Sequence, residues 1–365
     1  MARPAVAEIN LKNIRANFKL ASSLALDGKT LAVVKADAYG HGSVQVAKYL
    51  APDAEVFAVA SIEEAMILRA SGIDQPILLL EGFFDAEELE TISREGFWTA
   101  VHRQQQLEQI AGSSLAKPIC VWLKIDTGMH RLGFSVEHAV KAYNELNSMP
   151  QVKNIVVMTH LANADDSLSK GASVTTQLSQ LPEFFSSPDV ELSIANSAGI
   201  LDHETVRRHW QRPGIMLYGA CPLAKSNTYS NAYSNALRPV MTLKSEVIAT
   251  RWVEPGESVG YGGRFVAERR TLVGTVAMGY ADGYPRQAIE GTPIIVNGQR
   301  TQLIGRVSMD MLTVDLTDLP ESDVGSEVEF WGEKISANEV AAYCDTIAYH
   351  LFTGVTNRVP RKYIE

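Results

Sequence analysis

An α/β fold, with an N-terminal (β/α)8 TIM-like barrel followed by a mostly β C-terminal domain, is predicted by three observations. Short apolar runs alternate with helical patterns from residue 9 to residue 218. After residue 236 the rhythm changes to strands separated by Gly, Pro or Asp turns. Between these regions, residues 222–235 are rich in Ser, Asn, Tyr and Ala, lack periodicity and read as a connecting loop. Domains are therefore expected at 1–235 and 236–365.

In the first domain the candidate strands are 31–34, 57–59, 77–80, 99–101, 119–125, 155–158, 191–194 and 214–217. Between them, apolar residues recur at helical spacing. Leu11, Ile14, Phe18 and Leu20 form one stripe, opened by a candidate cap at Asn10. Another runs through Ile62, Ala65, Met66 and Leu68, with Ser61 and Glu64 spaced as a capping box. Eight strand-plus-helix units suit a parallel barrel of ~250 residues. Periodicity alone is equally compatible with a doubly wound open sheet. In the second domain the strands fall at 240–248, 271–277, 294–296, 303–307, 312–316 and 328–331, with one clear helix at 337–343.

At 365 residues, 46% hydrophobic and 21% charged, the chain suits one large domain and a smaller one. A net charge of -9 with no Lys/Arg run argues against nucleic acid. No apolar run reaches the ~18 residues of a membrane span, and the first residues lack the pattern of a secretory signal. Cys120, Cys221 and Cys344 are odd in number and far apart, which suits a reducing compartment. A cytoplasmic protein with neither a nucleic-acid nor a membrane partner is expected. No His-Glu-x-x-His or Cys-x-x-Cys spacing suggests a metal.

The residues with chemical potential lie at the carboxyl ends of the proposed barrel strands, where barrel enzymes place their sites. Lys35 follows the first apolar run. A barrel mouth partly desolvates an amine, and a desolvated lysine is a competent nucleophile. Alone, such a lysine is more often a solvated surface charge, so its context decides.

That context is Val34-Lys35-Ala36-x-Ala38-Tyr39-Gly40-His41-Gly42, which resembles the cofactor-lysine motif of alanine racemases, a family of barrel-type enzymes that use pyridoxal 5′-phosphate (PLP). The resemblance continues through Ile125-Asp126-Thr127-Gly128-Met129-x-Arg131-Leu132-Gly133, Thr159-His160, Asn196-Ser197 and Arg212-Pro213-Gly214-Ile215-x-Leu217-Tyr218-Gly219. In the second half it includes Val259-Gly260-Tyr261-Gly262, Gly279-Tyr280-Ala281-Asp282-Gly283-Tyr284, Ser308-Met309-Asp310 and Arg358-Val359-Pro360-Arg361.

The resemblance implies PLP held covalently by Lys35 and interconversion of L- and D-alanine, for peptidoglycan or alanine catabolism. Racemisation removes the Cα proton from one face and returns it to the other, so two bases are the economical solution. Lys35 is assigned to one face and Tyr261 to the other. A tyrosine is ordinarily a weak base, with pKa ~10, and needs cationic or hydrogen-bonding neighbours. Arg212 would face the pyridine nitrogen; as a donor-only group it holds that nitrogen unprotonated. Ser197, Gly214, Ile215, Tyr39 and Tyr349 would bind the phosphate, and Asn196 and His160 would adjoin the cofactor. Arg131 would contact the cofactor's phenolic oxygen and the substrate carboxylate, supported by a carbamylated Lys124. Met309 would offer its backbone N–H to the same carboxylate.

The resemblance further implies a homodimer in which Tyr261 and Met309 enter the partner's site. Tyr280, Tyr284, Asp165, Arg286, Arg306 and Tyr349 would line its entrance. Two other readings stand beside it. A different barrel-type PLP enzyme, such as a decarboxylase, would be expected to pair the pyridine nitrogen with an acid rather than Arg212. A non-catalytic PLP-binding barrel would lack the β domain that supplies Tyr261.

Overall fold

The computed structural model describes residues 3–26, 28–166 and 168–365. Its first unit is a parallel sheet with strands in chain order: Ala32–Val33, Phe57–Val59, Ile77–Leu79, Trp98–Val101, Ile119–Lys124, Val152–Met158 and Glu191–Ser193. Trp210–Gln211 follows and pairs in parallel with Lys29–Thr30. Leu31 N–H donates to Gln211 O (3.1 Å) and Arg212 N–H to Ala195 O (3.0 Å), which closes the barrel on both sides of this eighth strand. The strands read as continuous apolar runs because both faces are covered; Phe57–Val59 and Ile77–Leu79 are buried throughout.

The expected eighth strand, 214–217, is instead a 3-10 turn, Ile215–Tyr218. Pro213 has no N–H to extend a ladder, and Gly214 lies outside strand geometry at φ -114, ψ -96. All four apolar residues of the turn are buried, so burial rather than a strand explains the run.

Helix Leu11–Ser23 starts as expected, with the Asn10 side chain accepting from Asn13 N–H at 3.1 Å. The capping box at Ser61 does not form. Ser61 makes no side-chain capping bond, and the Glu64 carboxylate accepts from Ala60 N–H and Ala36 N–H, both at 2.7 Å. The connecting segment is not wholly a loop: Ser230–Ala236 is helical. It lacks an apolar stripe and is held by tertiary contacts, among them Ser230 Oγ to Leu223 O.

The second unit is an eight-stranded sheet in the order Thr271–Val276, Leu312–Asp315, Gln299–Ile304, Pro293–Val296, Glu327–Trp331, Met241–Val253, Val6–Asn10 and Arg361–Ile364. Met241–Val253 also pairs with Thr271–Val276, so six of these strands close on themselves. A bulge between Val247 and Ala249 permits the double pairing. Val6–Asn10, counted with the first domain in the sequence reading, adds a strand to this second sheet. The strand expected at 303–307 ends earlier, where Gly305 turns into the left-handed region at φ +70. A second helix, Ala348–Gly354, follows Ala337–Ala342 and carries Tyr349. Among the described residues, no helix is long and apolar enough to cross a membrane.

Candidate active site

Directly after Lys35 the chain makes an uncommon turn. Ala36, Asp37, Ala38 and Tyr39 are all left-handed, with φ between 52° and 53°. Each non-glycine residue in that conformation costs roughly 1–2 kcal/mol, so the surroundings must hold it. Glu64 accepts from Ala36 N–H, and Asp37 Oδ1 accepts from Ser43 N–H at 2.7 Å. His41 Nδ1–H donates to Tyr39 O (2.9 Å), and Arg361 Nε–H donates to Gly40 O (3.2 Å). A side chain at Gly40, itself at φ +78, would meet Phe352 O at 2.2 Å.

The turn sets the Tyr39 ring over Tyr218, with centroids 4.7 Å apart, and 5.9 Å from Tyr349. Tyr218 is anchored by its hydroxyl to Val33 O at 2.8 Å. A Cβ at Gly214 would lie 2.4 Å from the Tyr39 hydroxyl oxygen, so glycine there is what admits Tyr39. Burial raises the pKa of both Tyr39 and Tyr349, which keeps them protonated donors at neutral pH.

At the end of Ile119–Lys124, Lys124 is buried, and its pKa falls to about 8. Burial contributes most, then the positive charges of Arg212, Arg131 and Lys35. Arg131 stands on the following loop, which Asp126 shapes by accepting from Gly128 N–H and His130 N–H, both at 3.0 Å.

Arg212 is buried and donates to Ser193 Oγ (2.6 Å) and Thr159 O (2.8 Å). Burial lowers its pKa to about 10, which leaves it a cation at neutral pH. Its guanidinium approaches His160 Nδ1 at 3.4 Å. Arginine only donates, so Nδ1 is the acceptor in this contact and the imidazole is neutral. Burial and the Arg212 charge hold the His160 pKa well below its ordinary value, in agreement.

Ser197 opens the short helix Ser197–Asp202, and its Oγ accepts from Gly214 N–H at 2.9 Å. That hydroxyl can pass its own proton to an anion, while the Gly214 amide is already engaged. Asn196 caps the helix through Gly199 N–H (3.0 Å) and donates to Leu161 O (3.2 Å).

Lys35, Tyr39, Lys124, Arg131, His160, Asn196, Ser197, Arg212, Gly214, Ile215 and Tyr349 all line one cavity of about 840 Å3. Four basic side chains converge there with tyrosine and serine hydroxyls, a donor set suited to an anionic ligand. Among the described residues, no three His, Cys, Asp or Glu side chains cluster as a metal site requires.

Tyr261 and Met309 do not line this cavity. They lie on the surface of the second unit, 71% and 53% exposed. Of the expected entrance residues, Asp165, Arg286 and Tyr280 are exposed and Arg306 is half-buried. Tyr284 is a correction. It is buried, with its ring 5.1 Å from Phe330 and 6.1 Å from Trp331, because it packs the core of the second sheet.

Several wall and support residues escaped the sequence reading. Glu81 lies two residues past the end of the Ile77–Leu79 strand, so the same strand-end argument that found Lys35 reaches it. Ser193, Gln177 and Glu64 act through contacts distant in sequence. Gln177, fully buried, donates to Thr127 Oγ1 (3.1 Å) and His160 O (3.0 Å).

Residues 9–222 match the family described as alanine racemase, N-terminal domain, and residues 240–363 match alanine racemase, C-terminal domain. The chain is 51% identical over 365 residues to a catabolic alanine racemase of Pseudomonas putida, covering 99% of each. It is 50% identical to an alanine racemase of Xanthomonas axonopodis pv. citri, over 99% of this chain and 97% of the relative. Its fold superposes on the biosynthetic alanine racemase of Pseudomonas aeruginosa with a TM-score of 0.93, at 44% identity and full coverage of both chains. A Bartonella henselae alanine racemase with covalently bound pyridoxal phosphate matches at a TM-score of 0.85 and 29% identity, over 99% of each chain. The chain belongs to the alanine racemase family.

Proposed function

We propose that the chain interconverts L- and D-alanine with PLP, by proton transfer at two faces of Cα, in a homodimer that shares its active sites. The observation that carries this reading is the convergence of Lys35, Arg131, Arg212, Tyr39 and Ser197 on one cavity in a chain of this family. The cavity fits the cofactor: its volume exceeds that of a single pyridoxal ring with phosphate, and its donors suit a phosphate and a ring nitrogen. When bound, PLP stabilises the electron pair left at Cα by delocalising it.

The roles of the chain's own residues follow from position and chemistry. Lys35 would hold the cofactor, and its amine would take or return the Cα proton at one face. Tyr261 of the partner subunit does so at the other, so a proton removed on one side is replaced from the opposite side. Arg212 would donate to the ring nitrogen and, being still a cation, would keep that nitrogen an acceptor. The hydroxyls of Tyr39, Tyr349 and Ser197, with the Ile215 N–H, would cradle the phosphate, and the Gly214 amide would hold Ser197 in place for it. Asn196 holds the Ser197 helix start, and neutral His160 supports Arg212. Arg131 and the partner subunit's Met309 receive the substrate carboxylate.

Lys124 is a buried amine among cations, and its lowered pKa supplies a neutral nucleophile for CO2. Carbamylation converts it to an anion that pairs with Arg131. Large exposure of Tyr261 and Met309 suits residues that complete a neighbour's site. The division into units at 235/236 and a cytoplasmic location belong to the same reading.

Incubation of L-alanine with the PLP-loaded protein in deuterated water, followed by chiral analysis, tests it. D-alanine with deuterium at Cα is expected. Lys35→Ala should abolish the reaction, and Tyr261→Phe should lower it by about 10²–10⁴-fold while one-faced exchange persists. Exchange without inversion in the unaltered enzyme would remove the role of Tyr261.

A further inference from the structure

The second unit contains an ionic cluster built around a buried carboxylate, in the segment that adjoins Met309. Asp282 is fully buried, and both carboxylate oxygens bind the guanidinium of Arg3, NH2 to Oδ2 at 2.8 Å. Oδ2 also accepts from Gly279 N–H at 2.9 Å. Arg358 reaches the same carboxylate at 3.5 Å and donates to Asp310 Oδ1 at 2.7 Å. The second nitrogen of Arg3 donates in addition to Asp310 O at 2.8 Å.

These bonds tie two strands of backbone together. Tyr280 N–H donates to Ser308 O and Ala281 N–H to Met309 O, both at 3.0 Å. The contact is too close for any side chain at position 279, where a Cβ would lie 2.3 Å from Met309 O. The Ser308 carbonyl, which shares its peptide plane with the Met309 N–H, is thereby committed, and the orientation of that plane is set by the turn that Asp282 closes.

We infer that Arg3 and Asp282, with Arg358 as a second arm, are positioning residues for the substrate carboxylate. They touch neither substrate nor cofactor. They fix the loop whose Met309 main chain is offered to the neighbouring cavity, so the inference rests on the shared-site reading above. A bidentate arginine–carboxylate pair suits this task, because two parallel bonds define an orientation as well as a distance. Contributing Arg3 from the far end of the chain ties the N-terminal strand Val6–Asn10 to the same loop.

The test compares Arg3→Ala in the PLP-loaded dimer with Arg269→Ala, which breaks an exposed pair with Asp318 and a longer contact with Asp315, both away from this cluster. Arg3→Ala should raise the KM for L-alanine and the Ki of propionate about ten-fold, with kcat within about two-fold and the cofactor absorbance unchanged. Binding of ethylamine, which lacks the carboxylate, should not move. A purely structural role would shift melting temperature, with ethylamine and propionate affected alike. Should Arg3→Ala not fold, Arg3→Lys keeps the charge and loses the fork, and its propionate-to-ethylamine ratio decides. An unchanged ratio in an active enzyme overturns the inference alone. An unaltered enzyme that does not racemise alanine overturns the shared-site reading instead.

Discussion

The barrel mouth and the exposed face of the second unit carry two kinds of functional surface. At the mouth, Lys124 and Arg212 are buried and, with Lys35 and Arg131, line a deep cavity. On the second unit, Tyr261 and Met309 stand out from the surface and line no part of that cavity. One region is a pocket rich in cations, suited to an anionic ligand. The other is a projecting pair of residues set on an internally neutralised frame, with Arg3, Arg358, Asp282 and Asp310 behind it. The contrast teaches that a pocket and the groups that finish it can be built as separate surfaces. On the proposed reading, two copies of the chain would bring them together.

The largest expected effect separates the two surfaces onto different chains. Lys35→Ala and Tyr261→Phe homodimers should each be nearly inactive. Mixing them with subunit exchange should restore about one quarter of wild-type activity, because half of the dimers then hold one intact site of two. Mixtures that stay at the level of the parents would mean that both residues serve a site within one chain.

A smaller effect is expected inside the pocket. Gly214→Ala drives a methyl group against the Tyr39 hydroxyl and should cost about 1–3 kcal/mol of stability. Fluorescence titration should show weaker PLP binding. Unchanged affinity would show that Tyr39 does not need its observed position.

The smallest effect is a pH slope. The pKa of Lys124, about 8, lies below the ordinary lysine value of 10.5. Between those values the unfolded chain binds more protons than the folded one, so stability should rise with pH across that window. In cofactor-free protein and bicarbonate-free buffer, Lys124→Met should flatten this part of the melting-temperature profile. Parallel profiles for the two proteins would show that Lys124 is not the buried cation responsible.

Much of the site was legible before any coordinates. Lys35 and His160 sit just beyond strand ends that apolar runs reveal, whereas Arg131, on the loop after Lys124, and Arg212, ahead of the strand expected at 214–217, were marked by the motifs that carry the resemblance. Gly214 was legible only as a turn; its clearance for Tyr39 is a property of two segments that meet across the barrel. Glu64 had the spacing of a capping box, yet its carboxylate turned to Ala36 N–H to hold the left-handed turn. Tyr284 belonged to a motif beside the expected entrance, but a ring packed on Phe330 and Trp331 is a core residue whatever its neighbours in sequence. The helix Ser230–Ala236 has no stripe to announce it.

By itself, the sequence determined the division into a barrel and a β-rich unit, the capped start of Leu11–Ser23 and the identity of the polar side chains that line the cavity. These depend on local periodicity and on chemistry that a residue carries wherever it lies. Tertiary structure alone decided the eighth strand at Trp210–Gln211, the entry of Val6–Asn10 into the second sheet and the four left-handed residues after Lys35. The reason is physical. Barrel closure, strand pairing between chain ends and a strained turn are each stabilised by partners far away in sequence, and no local pattern encodes a distant partner.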